Sequence, residues 1–183
     1  MPEGSWPAVQ PELTDGILTL RPWRAGDAPV VHGACQDEHV QRWTRVSVPY
    51  LIEDATGFVS RLAPHQWASG AGAAFAIVDD ATGVVVGSMG LVRVERPNHL
   101  AEAGYWMTPD GRGRGFASRA LTLLSDWALH DLGFARVEVR VEVSNEASRR
   151  VATKAGFALE GVMRRAVWHR GAQRDIALYS RID

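Results

Sequence analysis

The chain contains the stretch Thr108-Pro109-Asp110-Gly111-Arg112-Gly113-Arg114-Gly115-Phe116-Ala117-Ser118-Arg119-Ala120, which joins two segments of different periodicity. Residues 101–107 before it have the composition of a strand. Behind it, apolar residues recur at the spacing of one helix face, and Gly133 supplies a C-terminal stop. These apolar residues are Ala117, Ala120, Leu121, Leu124, Ala128 and Leu132. The pattern predicts a strand, a tight glycine turn and a helix.

The glycine turn has the properties of an anion site. Glycine removes the Cβ atoms that keep a ligand from the backbone, and the first N–H groups of a helix have no intrahelical partner. Arg112, Arg114 and Arg119 are expected to add fixed positive charge beside the turn. The alternative is a flexible surface loop that is rich in arginine and glycine.

The turn does not match two common phosphate motifs. A P-loop ends in Gly-Lys-Ser/Thr, whereas this turn ends in Gly115-Phe116-Ala117, and a dinucleotide fingerprint needs a third glycine that is missing. The pattern Arg112-x-x-Gly115-x-Ala117 instead resembles the acetyl-coenzyme A signature of the GNAT superfamily of N-acetyltransferases. In that family the turn binds the pyrophosphate of the coenzyme through backbone N–H groups.

Further segments resemble the RimJ/RimL-like branch of this superfamily, the ribosomal-protein N-terminal acetyltransferases. Order and spacing agree from about residue 16 to residue 181. The matching segments are Leu18 to Trp23, Gly104 to Met107, Asn145 to Ser148, Lys154 to Phe157, Glu160-Gly161 and Asp175 to Ser180. Any one of them is weak, but the ordered set is specific.

The resemblance implies an α/β GNAT fold, with a mixed, mostly antiparallel sheet of about seven strands and about four helices. The family's fourth and fifth strands, which would be 101–107 and 136–143 here, splay apart to admit the pantetheine arm. The implied cosubstrate is acetyl-CoA, and no metal is required. The implied cofactor-binding residues are Tyr105, Trp106, Met107, Arg112, Gly113, Arg114, Gly115, Phe116, Ala117, Ser118, Asn145 and Ser148.

Candidate catalytic residues lie on the two splayed strands and on the helix that follows them. Glu102 is the preferred general base, acting through a water, with Glu142 as second choice; an ion-paired strand carboxylate is the alternative for Glu102. Many family members use a tyrosine as general acid, but this chain has Ala152 there. Ser148 is the remaining candidate donor to the thiolate, against a structural serine of a helix first turn. Asn145 is expected to contact pantetheine, cap the helix, or do both.

The proposed reaction is direct transfer of acetyl to a primary amine, with a protein or peptide N-terminus as the first choice of acceptor. A small-molecule amine, or succinyl-CoA as donor, stays open. The resemblance implies an acceptor site built from residues 36–50 and the last hairpin, with aromatics that could pack there: Trp43, Tyr50, Trp168 and Tyr179. The competing classes are a CoA-binding module without catalysis and an ATP-binding protein.

Bulk properties fit a cytoplasmic enzyme and exclude other classes. The 183 residues suit a single domain, 1–183, with residues 1–15 as a loosely held lead-in. The net charge of −1 gives no support to nucleic-acid binding, and no apolar run suits a membrane. The lone Cys35 is expected in the core, and the six histidines, scattered without metal-ligand spacing, are expected mostly at the surface. The oligomeric state, monomer or homodimer, is left open.

Overall fold

The computed structural model describes residues 6–182, whose eight strands form one sheet. The strands are β1 Leu13–Thr14, β2 Leu18–Pro22, β3 Ala73–Asp79, β4 Val84–Glu95, β5 Leu100–Met107, β6 Arg136–Glu142, β7 Ala158–His169 and β8 Ala172–Ile182. Their order across the sheet is β1-β2-β3-β4-β5-β6-β8-β7. Every neighbouring pair is antiparallel except β5 and β6. The predicted mixed, mostly antiparallel sheet is confirmed.

The helices of the described chain cover both faces of the sheet. They are α1 Ala28–Gln36, α2 Glu38–Trp43, α3 Ile52–Gly57, α4 Ala63–Ser69, α5 Phe116–Asp126 and α6 Glu146–Lys154. A π-helical turn, Phe58–Leu62, joins α3 to α4 without a break. The helix runs on through Pro64 to Ser69. A wider turn just before Pro64 accommodates a ring that cannot donate the usual hydrogen bond.

Alternate residues of the strands build two cores. In β3, Phe75 and Ile77 pack with Leu121 and Leu124 of α5, whereas Ala76 between them packs with α1 and α3. This follows from the two-residue period of a strand, which sends successive side chains to opposite faces. The sheet is therefore sandwiched, and the turn before α5 lies at one end of the sandwich.

The lead-in segment contacts the body of the fold over its described part. The Trp6 ring lies 4.7 Å from that of Trp67, and its Nε1 donates to the Trp67 carbonyl oxygen at 2.8 Å. The expectation of a loosely held lead-in is therefore not met at Trp6, because a ring contact and a hydrogen bond hold it there. Residues 1–5, which fall under the same expectation, lie outside the described residues.

The predicted gap lies between β5 and β6. These strands pair only at Leu100↔Arg136, Ala101↔Val137 and Glu102↔Glu138, and no pairing follows towards their carboxyl ends. The family's fourth and fifth strands are thus the fifth and sixth here, because the two-residue β1 precedes them. The gap opens from Glu102 towards Met107, at the same end as the glycine turn.

Candidate active site

The glycine turn presents a run of free backbone N–H groups. Gly113 and Gly115 have φ of 73° and 80°, a left-handed conformation that favours glycine. The first hydrogen bond of the helix runs from Arg119 N to Gly115 O, at 3.2 Å. Within the part of the chain that the structure describes, the N–H groups of residues 113–118 have no acceptor. Six consecutive donors at a helix N-terminus are suited to bind an anion.

The arginine side chains of the turn point to carboxylates. Arg112 pairs with Asp37 at the start of α2, and also donates to the Met107 carbonyl oxygen at 3.0 Å. Arg114 Nη2 lies 2.8 Å from Asp79 Oδ2, and Arg119 pairs with a carboxylate at 2.7 Å. Each of the three guanidinium groups is thus paired with a carboxylate. The excess of positive charge that the sequence predicted beside the turn is therefore not present. Nothing in the local sequence shows these partners, which lie 35 to 104 residues away.

The Arg114 partner is a buried carboxylate. Burial opposes ionisation of Asp79, but hydrogen bonds from Arg114 and from Ala81 N outweigh it, so the pKa of Asp79 lies below its usual range. The Arg114 guanidinium also covers the Phe116 ring, 4.5 Å from its centroid. These contacts fix the shape of the turn.

Lys154 supplies a cation that the sequence alone did not assign to the site. Its Nζ lies 3.8 Å from the position that a Cβ on Gly115 would occupy. Lys154 is exposed and lines the same cavity as the turn, and it has no ion pair within residues 6–182. It reaches the turn because α6 packs beside α5, a contact that no local sequence pattern reveals.

The gap below the turn has donors along β5. Thr108 N donates to Val86 O at 2.9 Å, which sets the alternation of the β4–β5 ladder. In such a ladder every second residue directs its N–H away from its partner strand. The N–H groups of Tyr105 and Met107 therefore face the gap, where β6 no longer pairs. They are positioned to hold a carbonyl oxygen within it.

A cavity of about 1190 Å³ runs from the turn through this gap. It is lined by all the predicted cofactor-binding residues except Arg114, together with Glu102 and Glu142. Part of the remaining wall comes from the end of α2 and the residues after it, with Trp43, Thr44 and Arg45, and from the last hairpin, with Val167 and His169. The structure therefore joins the predicted cofactor site and the predicted acceptor side in one continuous space.

Two hydroxyl groups meet across the cavity. Tyr105 Oη donates to Ser148 Oγ at 2.9 Å, linking β5 to the first turn of α6. Burial raises the pKa of Tyr105 to about 12. Asn145 caps this helix, since its Oδ1 accepts from Ser148 N at 3.1 Å. Asn145 is therefore the N-cap of α6, one of its two expected roles.

The predicted base is ion-paired through one of its two oxygens. Glu102 Oε2 lies 3.1 Å from Arg93 Nε and 3.5 Å from Arg140 Nε. Among the described residues, Oε1 accepts no hydrogen bond. Glu102 is therefore an ion-paired strand carboxylate, as the alternative interpretation expected. Its Oε1 lies beside the cavity.

Glu142, the second choice of base, is engaged through both oxygens. Oε1 lies 2.6 Å from His169 Nδ1, and Oε2 lies 3.8 Å from Arg174 Nε. His169 Nε2 also contacts the Thr44 carbonyl oxygen, at 3.1 Å. The histidines were expected mostly at the surface, but Glu142 and the chain after α2 hold His169 against the cavity. Neighbouring Arg170 donates to the carbonyl oxygens of residues 41 and 46, at 2.9 Å each.

The expected acceptor aromatics separate into different places. Trp43 lines the cavity. Tyr50 packs in the core below α1, and Tyr179 is buried with its hydroxyl accepting from Arg149 at 3.2 Å. Trp168 is 68% exposed, outside the cavity. For Trp168 in β7 and Tyr179 in β8, the position along the strand decides which face of the sheet the ring occupies, so an aromatic residue in the expected segment does not by itself indicate the pocket.

Residues 6–182 hold neither a metal site nor a membrane span. No group of three or more His, Cys, Asp and Glu side chains in this range could hold a metal ion. No helix in the range is long and apolar enough to cross a membrane.

Comparison with known proteins shows the family of the chain. Residues 18–158 match the acetyltransferase (GNAT) domain family. The chain is 28% identical over 170 residues to the uncharacterized N-acetyltransferase YoaA of Bacillus subtilis, covering 93% of this chain and 96% of the relative. It is 34% identical over 98 residues to the ribosomal-protein-serine acetyltransferase of Escherichia coli, covering 54% and 55%.

A solved structure shares the fold over the whole chain. It is RimJ of Mycobacterium smegmatis in complex with CoA-disulfide, with a TM-score of 0.82, 26% identity, and coverage of 100% of this chain and 90% of that one. The chain belongs to the GNAT family of acetyltransferases, whose cosubstrate is acetyl-CoA.

Proposed function

We propose that the protein transfers the acetyl group of acetyl-CoA to the N-terminal amine of a protein or peptide. The main support for acetyl-CoA binding is the run of six free N–H groups, residues 113–118, at the head of the gap. A diphosphate on these donors would lie beside Lys154, whose charge complements it. The pantetheine arm would follow β5, which spans about 17 Å from Met107 to Glu102 at the usual strand rise.

Two features support direct transfer between bound reactants. The N–H groups of Tyr105 and Met107 would hold the thioester carbonyl and stabilise negative charge on its oxygen. Holding donor and acceptor together in one cavity contributes up to about 7–11 kcal/mol by itself. Glu102 Oε1 would take the amine proton through a water, and Ser148 would donate to the sulfur. Asn145 keeps its amide nitrogen for the pantetheine while its oxygen caps α6.

The acceptor side supports an extended chain better than a polycation. Its wall carries Arg45, Arg93 and Arg140 against the carboxylates of Glu102 and Glu142, so it offers no excess of negative charge. The name of the Escherichia coli relative, a ribosomal-protein-serine acetyltransferase, also supports a protein acceptor. A cytoplasmic location follows from that acceptor class, since ribosomal proteins are made there. We further propose that the chain is a single domain, because one sheet runs from β1 to β8.

The test has a binding step and a turnover step. Thermal unfolding is measured with acetyl-CoA, succinyl-CoA, CoA and ATP; a ligand at 100 times its Kd stabilises the protein by about 2.7 kcal/mol. Thiol release is then followed with peptides that differ in their first residue, with the same peptides N-terminally blocked, and with small amines and spermidine. Turnover of free but not blocked peptides is expected. Turnover of small amines alone would overturn the acceptor class, and stabilisation by ATP alone would overturn the cofactor.

A further inference from the structure

The hydroxyl groups of Tyr105 and Ser148 contact each other, and the geometry of this contact indicates which of the two donates. The contact is 2.9 Å, with Tyr105 Oη as donor and Ser148 Oγ as acceptor. A serine hydroxyl has one hydrogen and two lone pairs, so an oxygen that accepts from Tyr105 still has its own hydrogen to donate. Within residues 6–182 that hydrogen has no acceptor, although the side chain lines the cavity. It is free to point at a ligand atom in the gap.

The opposite arrangement is unfavourable. Tyr105 has no other hydrogen-bond acceptor in the described chain, so a Ser148 hydroxyl that donated to Tyr105 would leave the tyrosine hydrogen unpaired in a partly buried site. Burial raises the pKa of Tyr105 to about 12, so the tyrosine keeps its hydrogen at any ordinary pH. The contact therefore favours Tyr105 as the donor and Ser148 as the acceptor.

We propose that Tyr105 is a positioning residue for the departing sulfur: it holds Ser148 Oγ as an acceptor and turns the serine hydrogen towards the sulfur of coenzyme A. This rests on the proposed function. In the reaction the amine nitrogen forms a bond to the acetyl carbon, the carbon–sulfur bond breaks, and its electron pair goes to sulfur. The amine proton leaves through water towards Glu102. The serine hydroxyl donates a hydrogen bond to the thiolate and keeps its proton, and water later protonates the thiolate.

The chemistry of the groups favours a hydrogen bond over proton transfer. A thiol has an ordinary pKa of about 8.5, far below that of tyrosine or of an aliphatic hydroxyl. Neither hydroxyl would give its proton to a thiolate at neutral pH. The position of the family's usual tyrosine is occupied by Ala152, which is buried and has no hydroxyl. The Tyr105–Ser148 pair would supply from β5 and α6 the stabilisation that this position lacks.

The test compares Tyr105→Phe, Ser148→Ala and the double variant, with Tyr50→Phe as the matched control. Tyr50 is a partly buried tyrosine in the core below α1, outside the cavity. The first readout needs no acceptor: the thiolate absorbance of bound CoA is titrated with pH, against the same protein without CoA. A hydrogen bond to the charged form lowers a pKa. Tyr105→Phe and Ser148→Ala are each expected to raise the pKa of the bound thiol by about one unit, which corresponds to a tenfold change.

The second readout separates positioning from binding. With the acceptor found in the panel, Tyr105→Phe is expected to lower kcat about tenfold with the KM for acetyl-CoA unchanged. The double variant should match Ser148→Ala, because Tyr105 acts only through the serine. Thermal unfolding checks that each variant is folded.

The outcomes divide cleanly. A Tyr105→Phe protein that titrates and turns over like the parent overturns this proposal alone. A further loss from Tyr105→Phe in the Ser148→Ala background also overturns it, because the tyrosine would then act directly. A parent protein that does not bind CoA overturns the proposed function, and this inference with it.

Discussion

Gly115→Ala is the sharpest test of the cofactor turn. Gly115 has φ of 80°, a left-handed conformation that costs an L-residue about 1–2 kcal/mol. A Cβ there would meet only Lys154 Nζ, at 3.8 Å, so it clashes with no protein atom. It would instead occupy the space between the turn and the lysine, where the diphosphate is proposed to bind. The substitution should therefore affect ligand binding more than folding.

The expected effect on binding follows from the lost donors. Displacing the anion from one backbone N–H costs about 2 kcal/mol, since hydrogen bonds to charged groups contribute about 1.5–3 kcal/mol. This weakens acetyl-CoA binding about 30-fold. At a concentration of 100 Kd for the parent, stabilisation would fall from about 2.7 to about 0.9 kcal/mol. For a chain of this length the thermal shift would fall from about 8 °C to about 3 °C.

Gly16→Ala is the matched control for backbone strain. Gly16 has the same φ of 80°, and a Cβ added there would meet no atom within 4 Å. It lies in the turn between β1 and β2, away from the cavity. Both variants should lose about 1 kcal/mol of stability without ligand. Only Gly115→Ala should lose the thermal shift with acetyl-CoA. Equal thermal shifts in the two variants would refute the proposed position of the diphosphate.

Three further predictions concern Lys154 and Glu102 in the cavity and an ion pair in the body of the fold. Lys154→Met is expected to weaken CoA binding about fivefold at low salt and less at high salt, as a screened charge requires; equal losses at both in a calorimetric titration would contradict it. Glu102→Gln should lower kcat about 100-fold near neutral pH with unchanged acetyl-CoA affinity, and unchanged activity across the pH range would remove Glu102 as base. Asp27→Asn should destabilise by about 3 kcal/mol near pH 7, because the partly buried Arg21 loses its partner. Burial opposes the ionisation of Asp27, but hydrogen bonds from Arg21 and from Arg24 N lower its pKa overall. The stabilisation by the ion pair is therefore complete above the ordinary carboxyl pKa, and it is lost as the pH falls through the pKa of Asp27 in the folded protein. Unfolding followed from pH 7 downwards should show the gap to the parent closing, with exposed Asp110→Asn showing none.

Local patterns were sufficient for most of the fold. The helix face after Gly115 predicted α5, since burial of one face leaves a periodic pattern of apolar residues, and the family resemblance predicted β6 at residues 136–143. The short α2 was not predicted, because six residues with a single buried position, Val40, carry too little periodicity. The two-residue β1 was missed for the same reason.

The site was predictable where it depends on the backbone and not where it depends on partners. Gly113 and Gly115 indicate a tight turn in the sequence itself, and both have the left-handed φ that favours glycine. The role of Arg112 is not indicated there, because the choice between a ligand and Asp37 is made by a helix 75 residues away. The same holds for His169, whose contacts with Glu142 and Thr44 exist only once the hairpin has folded against α2.

The contact between the last hairpin and residues 41–46, on the proposed acceptor side of the cavity, depends on main-chain atoms. His169 and Arg170 bind carbonyl oxygens of residues 41–46, which every amino acid supplies. Side chains in that segment, such as Trp43 and Arg45, can therefore be exchanged without releasing these contacts. Substitutions in residues 41–46 can therefore change the proposed preference for the amine, while the glycine turn and β5, which are proposed to bind the thioester, stay unchanged.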